Sequence, residues 1–364
     1  MPQSFVVIIA GGRGERFWPL SRRARPKHLL DVVGSGTLLA QTLRRVARVV
    51  PPANTLIITG AEQERALRAA CPGLPAQNIV VEPAARNTGP AVALAAALVA
   101  ARDPQGTFAV LPADHVVNDV SAYRRDLKAA FALAAAKDVL VTLGIRPTSP
   151  ATGFGYIRRR DRSVRAGGRR FFRIDRFVEK PPLAVARRYV AAGDYLWNAG
   201  MFVWRVDHLD AALHTHAPEL RAAFVPVRAA LAAGTERGVK AALRAAYRRV
   251  ERISIDHALL EKATNGVVLP ATFDWDDAGS WAAMGRHLPA DPAGNRVSGD
   301  GVVIDGAGNV IVSPSGHVVA LLGMSDCVVV QTPDATLVMP RGRAEDVRSV
   351  VAHVERLPAG RRWL

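Results

Sequence analysis

An apolar stretch, Phe5 to Ala10, runs directly into Gly11-Gly12-Arg13-Gly14-Glu15-Arg16. Glycines placed straight after a β-strand let the backbone approach a phosphate and aim its N–H groups at it, with no side chain required. Arg13 and Arg16 add charge to that loop, and Arg25-Pro26-Lys27-His28 follows a few residues on. The spacing is neither a Walker A loop nor the dinucleotide fingerprint, because Phe17 stands where the third glycine belongs. On the glycines alone, a tight structural turn is as good a reading as a phosphate site. Farther along, Asp114 follows the apolar run Phe108–Leu111, and Asp277 precedes Gly279 in Trp275-Asp276-Asp277-Ala278-Gly279. Carboxylate oxygens suit Mg²⁺, which takes one or two protein carboxylates together with phosphates and waters. A turn or a helix cap accounts equally for either aspartate taken singly. Asp276 is an alternative to its neighbour, and His28 and His115 lack a metal-type spacing and read as supporting or packing residues.

Such residues need a frame. Short apolar runs at Phe5–Ala10, Thr55–Thr59, Ile79–Val81, Phe108–Leu111 and Val139–Leu143 alternate with helix-like Leu38–Val50, Ala61–Ala70, Pro90–Ala101 and Ala122–Lys137. Continuous apolar strands separated by helices predict an α/β fold, a largely parallel sheet covered on both faces. Ligands gather outside the carboxyl ends of such strands, where the glycine loop and Asp114 fall. After residue 150 the pattern mixes hairpin material (Gly155–Arg160, Phe171–Val178), a strand at Met201–Trp204 and helices near 183–192, 218–232 and 255–263. Beyond about 290, short strands recur every eight or nine residues between Gly, Asp, Asn and Pro, which predicts a small β-solenoid-like domain or a sandwich, with a helix near Ala344–Arg356. The expected division is 1–290 and 291–364.

Composition narrows the classes. Of 364 residues 49% are hydrophobic, enough for a full core, while a net charge of +16 raises nucleic acid or an acidic surface as partners. Only 6 of the 48 basic residues are lysine, leaving 42 arginines spread along the chain in short runs. That skew marks the charge as background composition, and no nucleic-acid motif accompanies it. No apolar stretch reaches the roughly 20 residues that span a bilayer, and no targeting segment is recognisable. Cys71 and Cys327 stand far apart, as expected in a reducing cytoplasm.

Seven ordered blocks then carry a resemblance. Gly11 to Leu30, with Trp18-Pro19-Leu20-Ser21 and Arg25-Pro26-Lys27-His28, is similar to the signature of sugar-1-phosphate nucleotidyltransferases of the mannose-1-phosphate guanylyltransferase kind. Glu82-Pro83-Ala84-Ala85-Arg86-Asn87-Thr88, Pro112-Ala113-Asp114-His115 and Pro147 to Tyr156 follow in the family's order. So do Phe177-Val178-Glu179-Lys180-Pro181, Trp197-Asn198-Ala199-Gly200-Met201-Phe202 and Phe273 to Trp281.

The resemblance implies a Rossmann-like, GT-A-like catalytic domain that joins GTP and mannose 1-phosphate into GDP-mannose and pyrophosphate with Mg²⁺. It places Arg16 and Lys27 against the triphosphate, and Lys180 on the sugar phosphate as a point charge. Gly11, Gly12, Arg13 and Gly14, with Asn87 and Thr88, belong to the nucleotide site. Asp114 serves both that site and the metal, shared with Asp277. Gly153, Gly155, Glu179 and Asn198 recognise sugar hydroxyls, for which amide and carboxylate groups are suited. Residues 291–364 are too few for the fused isomerase domain some members carry, and a homodimer through that segment is expected instead. Ser254-Ile255-Asp256 reads as a helix cap, and Trp275 and Trp281 as braces for the metal loop. The rivals are a sibling enzyme for another base or sugar, a non-catalytic nucleotide-sugar sensor, and a nucleic-acid binder resting on charge alone.

Overall fold

The computed structural model describes residues 2–313 and 316–364. The apolar runs become the strands β1 (Ser4–Ala10), β2 (Thr55–Gly60), β3 (Ile79–Glu82), β4 (Thr107–Pro112) and β5 (Leu140–Ile145). They are followed by β6 (Tyr156–Ala166), β7 (Arg169–Val178), β8 (Tyr195–Arg205) and β9 (Gly266–Pro270), all in one sheet of order β3-β2-β1-β4-β8-β5-β9-β7-β6. β1 lies parallel between β2 and β4, with Ile8 opposite Ile57 and Leu111. Only β7 and β8 run against the other seven strands. β1 is almost wholly buried, so its apolar residues alternate into two cores rather than between core and water.

Helices cover both faces. On one lie α1 (Leu38–Val46), α2 (Glu64–Ala70), α4 (Val120–Ala136) and α5 (Leu183–Ala192). On the other are α3 (Thr88–Ala100), α6 (Val206–His216), α7 (Pro218–Ala232) and α8 (Glu236–Arg249). Thr37 caps α1 and Asp119 caps α4, each accepting a backbone N–H of the first turn at 3.1 and 2.8 Å. The alanine-rich α3 is apolar all round because it is packed between the sheet and α7. The expected helix near 255–263 is a single π-helical turn, Asp256–Leu260. β9, α6 and α8 are additional to the expected elements.

After the short α9 (Trp281–Gly285) the chain builds stacked parallel strands. β10 (Arg296–Gly299), β12 (Val310–Ser313) and β14 (Cys327–Thr332) pair side by side, as do β11 (Gly301–Ile304) and β13 (Val319–Leu322). Asn309 is fully buried at the turn between rungs, where its Oδ1 accepts the Cys327 N–H at 3.0 Å and its amide donates to Asn295 Oδ1. β15 (Ala335–Pro340) closes the stack antiparallel to β14, and α10 (Val347–Arg356) follows. This β-helix-like part is not separated from the nine-stranded sheet and its helices by a core of its own. Val310, Val328, Leu337, Ala344 and Val347 pack in one cluster with Phe17, Trp18 and Trp281.

Candidate functional site

The loop after β1 is shaped by one glycine. Gly14 has φ 66° and ψ 32°, and a Cβ there would lie 2.6 Å from Lys27 Cβ, so only glycine lets the loop rest against Lys27. Lys27 is buried. Its ammonium donates to Asp114 Oδ2 at 2.9 Å and to the Asp277 carbonyl at 2.5 Å. A lysine can do this because its compact head fits between two loops where a planar guanidinium would not. Arg16 donates to the Gly279 carbonyl at 3.3 Å, and Arg13 sits 3.6 Å from Glu62.

The two aspartates ride on loops zipped together. Val116 and Asp276 exchange backbone hydrogen bonds, Asp274 accepts the N–H groups of Asn118 and Asp119, and the Trp275 indole donates to His115 Nδ1 at 3.0 Å. Trp281 donates to the Trp18 carbonyl at 3.1 Å and meets Phe17 edge-on. Both tryptophans therefore brace the loop. Farther back, fully buried Asp126 anchors the loop's start, taking the Thr272 N–H at 2.7 Å and facing Arg169 Nε at 2.6 Å.

Asp276 and Asp277, equivalent in sequence, have different surroundings. Asp276 accepts from Arg286 at 2.8 Å, His287 at 3.0 Å and the Ala278 N–H; these outweigh burial and hold it at about 2. Asp277 lines the cleft beside Lys27, and burial with the like charges of Asp276 and Asp114 raises its pKa against the pull of Lys27. For Asp114, burial is more than reversed by the Lys27 ammonium, leaving it at about 2. Desolvation pushes both buried His28 and half-buried His115 down to about 4, so both are neutral near pH 7. Among the described residues no three potential ligands cluster. Two carboxylates, one of them short of positive charge, are the donor set of an ion completed by phosphate and water, which fits a hard divalent cation such as Mg²⁺.

One cleft of about 1030 Å³ gathers Gly11, Gly12, Arg13, Gly14, Arg16, Lys27, Asn87, Thr88, Asp114 and Asp277. It lies along the carboxyl ends of β1, β2, β3 and β4, the side on which such a sheet takes its ligands. Glu82, the last residue of β3, enters the same cleft. Its Oε1 would be 3.3 Å from a Cβ at Gly11, and burial raises its pKa to about 7. Arg252, and Arg348 from α10, also line it.

Gly155, Glu179, Lys180 and Asn198 form a second group outside that lining. A Cβ on Gly155 would lie 2.5 Å from Glu179 Oε2 and 3.3 Å from Asn198 Cβ, so the bare backbone admits both side chains. Lys180, with φ 47°, pairs with Glu179. Gly153 stands in the preceding loop with no neighbour within 4 Å of its Cβ position. Asn198 Oδ1 takes the Gly200 N–H at 3.1 Å, which fixes its amide to donate to Asp256 Oδ1 at 2.9 Å. Asp256 is thus more than a helix cap. Burial, then Glu179, raises its pKa to about 6. Adjacent Ile255 donates its N–H to Thr88 Oγ1 at 3.0 Å, so the segment links the two groups. The π turn that opens there is the local irregularity that often accompanies a site.

Residues 5–291 match the nucleotidyl transferase family and residues 299–354 the MannoseP isomerase/GMP-like beta-helix domain. The chain is 36% identical to a mannose-1-phosphate guanylyltransferase of Sinorhizobium fredii (strain NBRC 101917 / NGR234), over 99% of this chain and 69% of the relative. It is also 36% identical to that of Escherichia coli K12, over 96% and 73%. A crystal structure from Thermus thermophilus, named mannose-1-phosphate geranyltransferase, superposes with a TM-score of 0.85 at 38% identity, covering 97% of this chain and 99% of that one. A β1 loop of glycines and arginines, a lysine bridging two aspartate loops and a β-helix-like tail are here joined in one chain, which belongs to the mannose-1-phosphate guanylyltransferase family of nucleotidyltransferases.

Proposed function

We propose that the protein transfers GMP from GTP to α-D-mannose 1-phosphate, giving GDP-mannose and pyrophosphate. The observation that carries the reading is Lys27, which joins the glycine loop to both Asp114 and the Asp277 loop inside the cleft of about 1030 Å³. A sugar-phosphate oxygen attacks the α-phosphorus in line. The bond from that phosphorus to the bridging oxygen breaks, and pyrophosphate leaves with the electron pair. Little covalent work falls to the protein, so positioning and charge dominate.

Gly11, Gly12 and Gly14 present backbone N–H groups to the triphosphate, and Arg13, Arg16 and Lys27 neutralise it. Asp114 and Asp277 would hold Mg²⁺, which when bound would offset the charge of the transferring phosphate. Asn87 and Thr88 flank the nucleotide. Glu82 reads guanine through Oε1, the oxygen left free by Tyr247, which can accept from the N1–H and N2–H₂ donors, whereas adenine presents an acceptor at N1. Gly153, Gly155, Glu179 and Asn198 hold the mannose hydroxyls, with Lys180 on its phosphate. In this reading residues 1–290 catalyse in the cytoplasm and residues 291–364 support a homodimer. Val302 and Ile304 on β11 and Leu322 on β13 stand exposed on neighbouring rungs, a self-complementary face for a second copy.

Pyrophosphate release across a matrix of nucleoside triphosphates and sugar 1-phosphates, with and without Mg²⁺, tests the reading. GTP with mannose 1-phosphate should be the preferred pair. Preference for another pair overturns the specificity, and no turnover with any pair overturns the activity. Gel filtration of the whole chain against its Leu322→Glu variant tests the dimer, which the variant should dissociate.

A further inference from the structure

Arg16 is held from the far end of the chain. Its guanidinium lies 2.9 Å from Glu345 Oε2, in the 3-10 turn Arg341–Asp346 that leads into α10. Three residues later Arg348 lines the nucleotide cleft, and no carboxylate among the described residues pairs with it. The cations of the glycine loop and of Lys27 are otherwise engaged: Arg13 with Glu62, Arg16 with Glu345, Lys27 with Asp114. Arg348 stands beside them with its charge unspent.

Its position is fixed. Ala344 and Val347 are buried against Phe17, Trp18 and Trp281, directly beneath the glycine loop. The chain end returns to the same loop, where the Trp18 indole donates to the Trp363 carbonyl at 2.8 Å and the Arg23 N–H to the Leu364 carbonyl at 2.7 Å. Arg23 also pairs with Glu355 on α10. A helix clamped on both flanks holds the backbone of Arg348 in place, with its exposed side chain lining the cleft.

We propose that Arg348 and Arg16 together bind the β- and γ-phosphates, and hence the departing pyrophosphate, and that Glu345 occupies Arg16 until those phosphates displace it. The inference rests on the cleft being the GTP site. A guanidinium pairs with phosphate through two parallel N–H bonds, and a carboxylate competes for the same donors. An incoming triphosphate therefore exchanges Glu345 for a phosphate on Arg16. Arg348, adjacent on the same segment, meets the added negative charge. The β-helix-like part thereby contributes one ligand and one competitor to a site otherwise lined by residues between Ile9 and Gly279.

The test is the reverse reaction, GDP-mannose with inorganic pyrophosphate, read with the forward reaction on the full chain. Arg348→Ala should raise KM for both pyrophosphate and GTP roughly tenfold, the effect of one charge-assisted hydrogen bond, with KM for mannose 1-phosphate unchanged. Arg348→Lys should recover part of the loss. Glu345→Gln should lower KM for pyrophosphate by about threefold, because the competitor has lost its charge. Unchanged KM values in Arg348→Ala overturn the Arg348 assignment. A raised pyrophosphate KM with reduced kcat in Glu345→Gln overturns the place-holding role and leaves Glu345 a mere support for Arg16. Should Arg348→Ala fail to fold, Arg348→Gln carries the same expectation. A wild-type chain inactive on GTP and mannose 1-phosphate overturns the functional reading itself, whereas an active one with flat Arg348 variants overturns this inference alone.

Discussion

The Tyr247 hydroxyl, carried on α8, donates to Glu82 Oε2 across 2.6 Å at the end of β3. Both side chains are buried, and Glu82 Oε2 is committed to the tyrosine while Oε1 lies beside Gly11 in the cleft. Burial lifts Glu82 from 4.5 to about 7, and the tyrosine bond offsets this only in part. An acid raised in the folded state prefers its proton there, so ionising it costs stability. The penalty is absent below pH 4.5, grows as pH rises and is complete above about 7. Glu82→Gln should therefore be more stable than the parent by about 3 kcal/mol at pH 8 and indistinguishable near pH 4.5. Urea melts at both values check this; an equal difference at both would count against it. The same variant should lose preference for GTP over ATP.

Asp277→Asn should reduce turnover by at least the roughly 10–100-fold that loss of a metal site's outer partners costs, and raise the Mg²⁺ concentration needed for half-maximal rate. Asp276→Asn weakens the contacts to Arg286 and His287 outside the cleft, so its main cost should be stability. Pyrophosphate release titrated with Mg²⁺ separates them. Equal kinetic defects in the two variants would mean that the cleft-facing position of Asp277 has no special role.

Gly155→Ala places a methyl 2.5 Å from Glu179 Oε2. The carboxylate must move, and its contact with Lys180 goes with it. KM for mannose 1-phosphate should rise about tenfold or more, the worth of one charged hydrogen bond, while KM for GTP stays within about twofold. Steady-state kinetics with each substrate varied in turn reads both, and a parallel rise in the two would refute a separate sugar site.

Asp126 lies far from the chemistry yet holds the start of the loop that ends in Asp277. Removing it as Asp126→Ala strands Arg169 and the Thr272 N–H. Because Asp126 is fully buried and Arg169 only partly so, the loss should cost about 1–3 kcal/mol in denaturant unfolding, the worth of an orphaned buried hydrogen-bond donor. A loss below about 1 kcal/mol would show that the loop is held by its zipper to residues 115–119 alone.

The sequence by itself determined the class. Continuous apolar strands between helices could bury themselves only in a two-faced sheet, and the glycine loop after β1 had to fall at the sheet's carboxyl edge. The expected strands at Phe5–Ala10, Thr55–Thr59 and Phe108–Leu111 lie within observed ones because local pattern and tertiary burial agree there. Together with the family blocks, the scarcity of lysine, 6 beside 42 arginines, drew attention to Lys27 and Lys180. What it left undecided depends on contacts between distant segments. Asp276 and Asp277 are the same residue type in adjacent positions, and only Arg286 and His287 closing on the first direct the second to the cleft. Asp256 looks like a cap until Asn198 is brought to it by β8. Tyr247 reaches Glu82, and Glu345 reaches Arg16, across more than a hundred residues. No periodicity or motif encodes such pairs, because their partners are chosen by packing in the shared core of Phe17, Trp281 and Val347 and in the helices over β3.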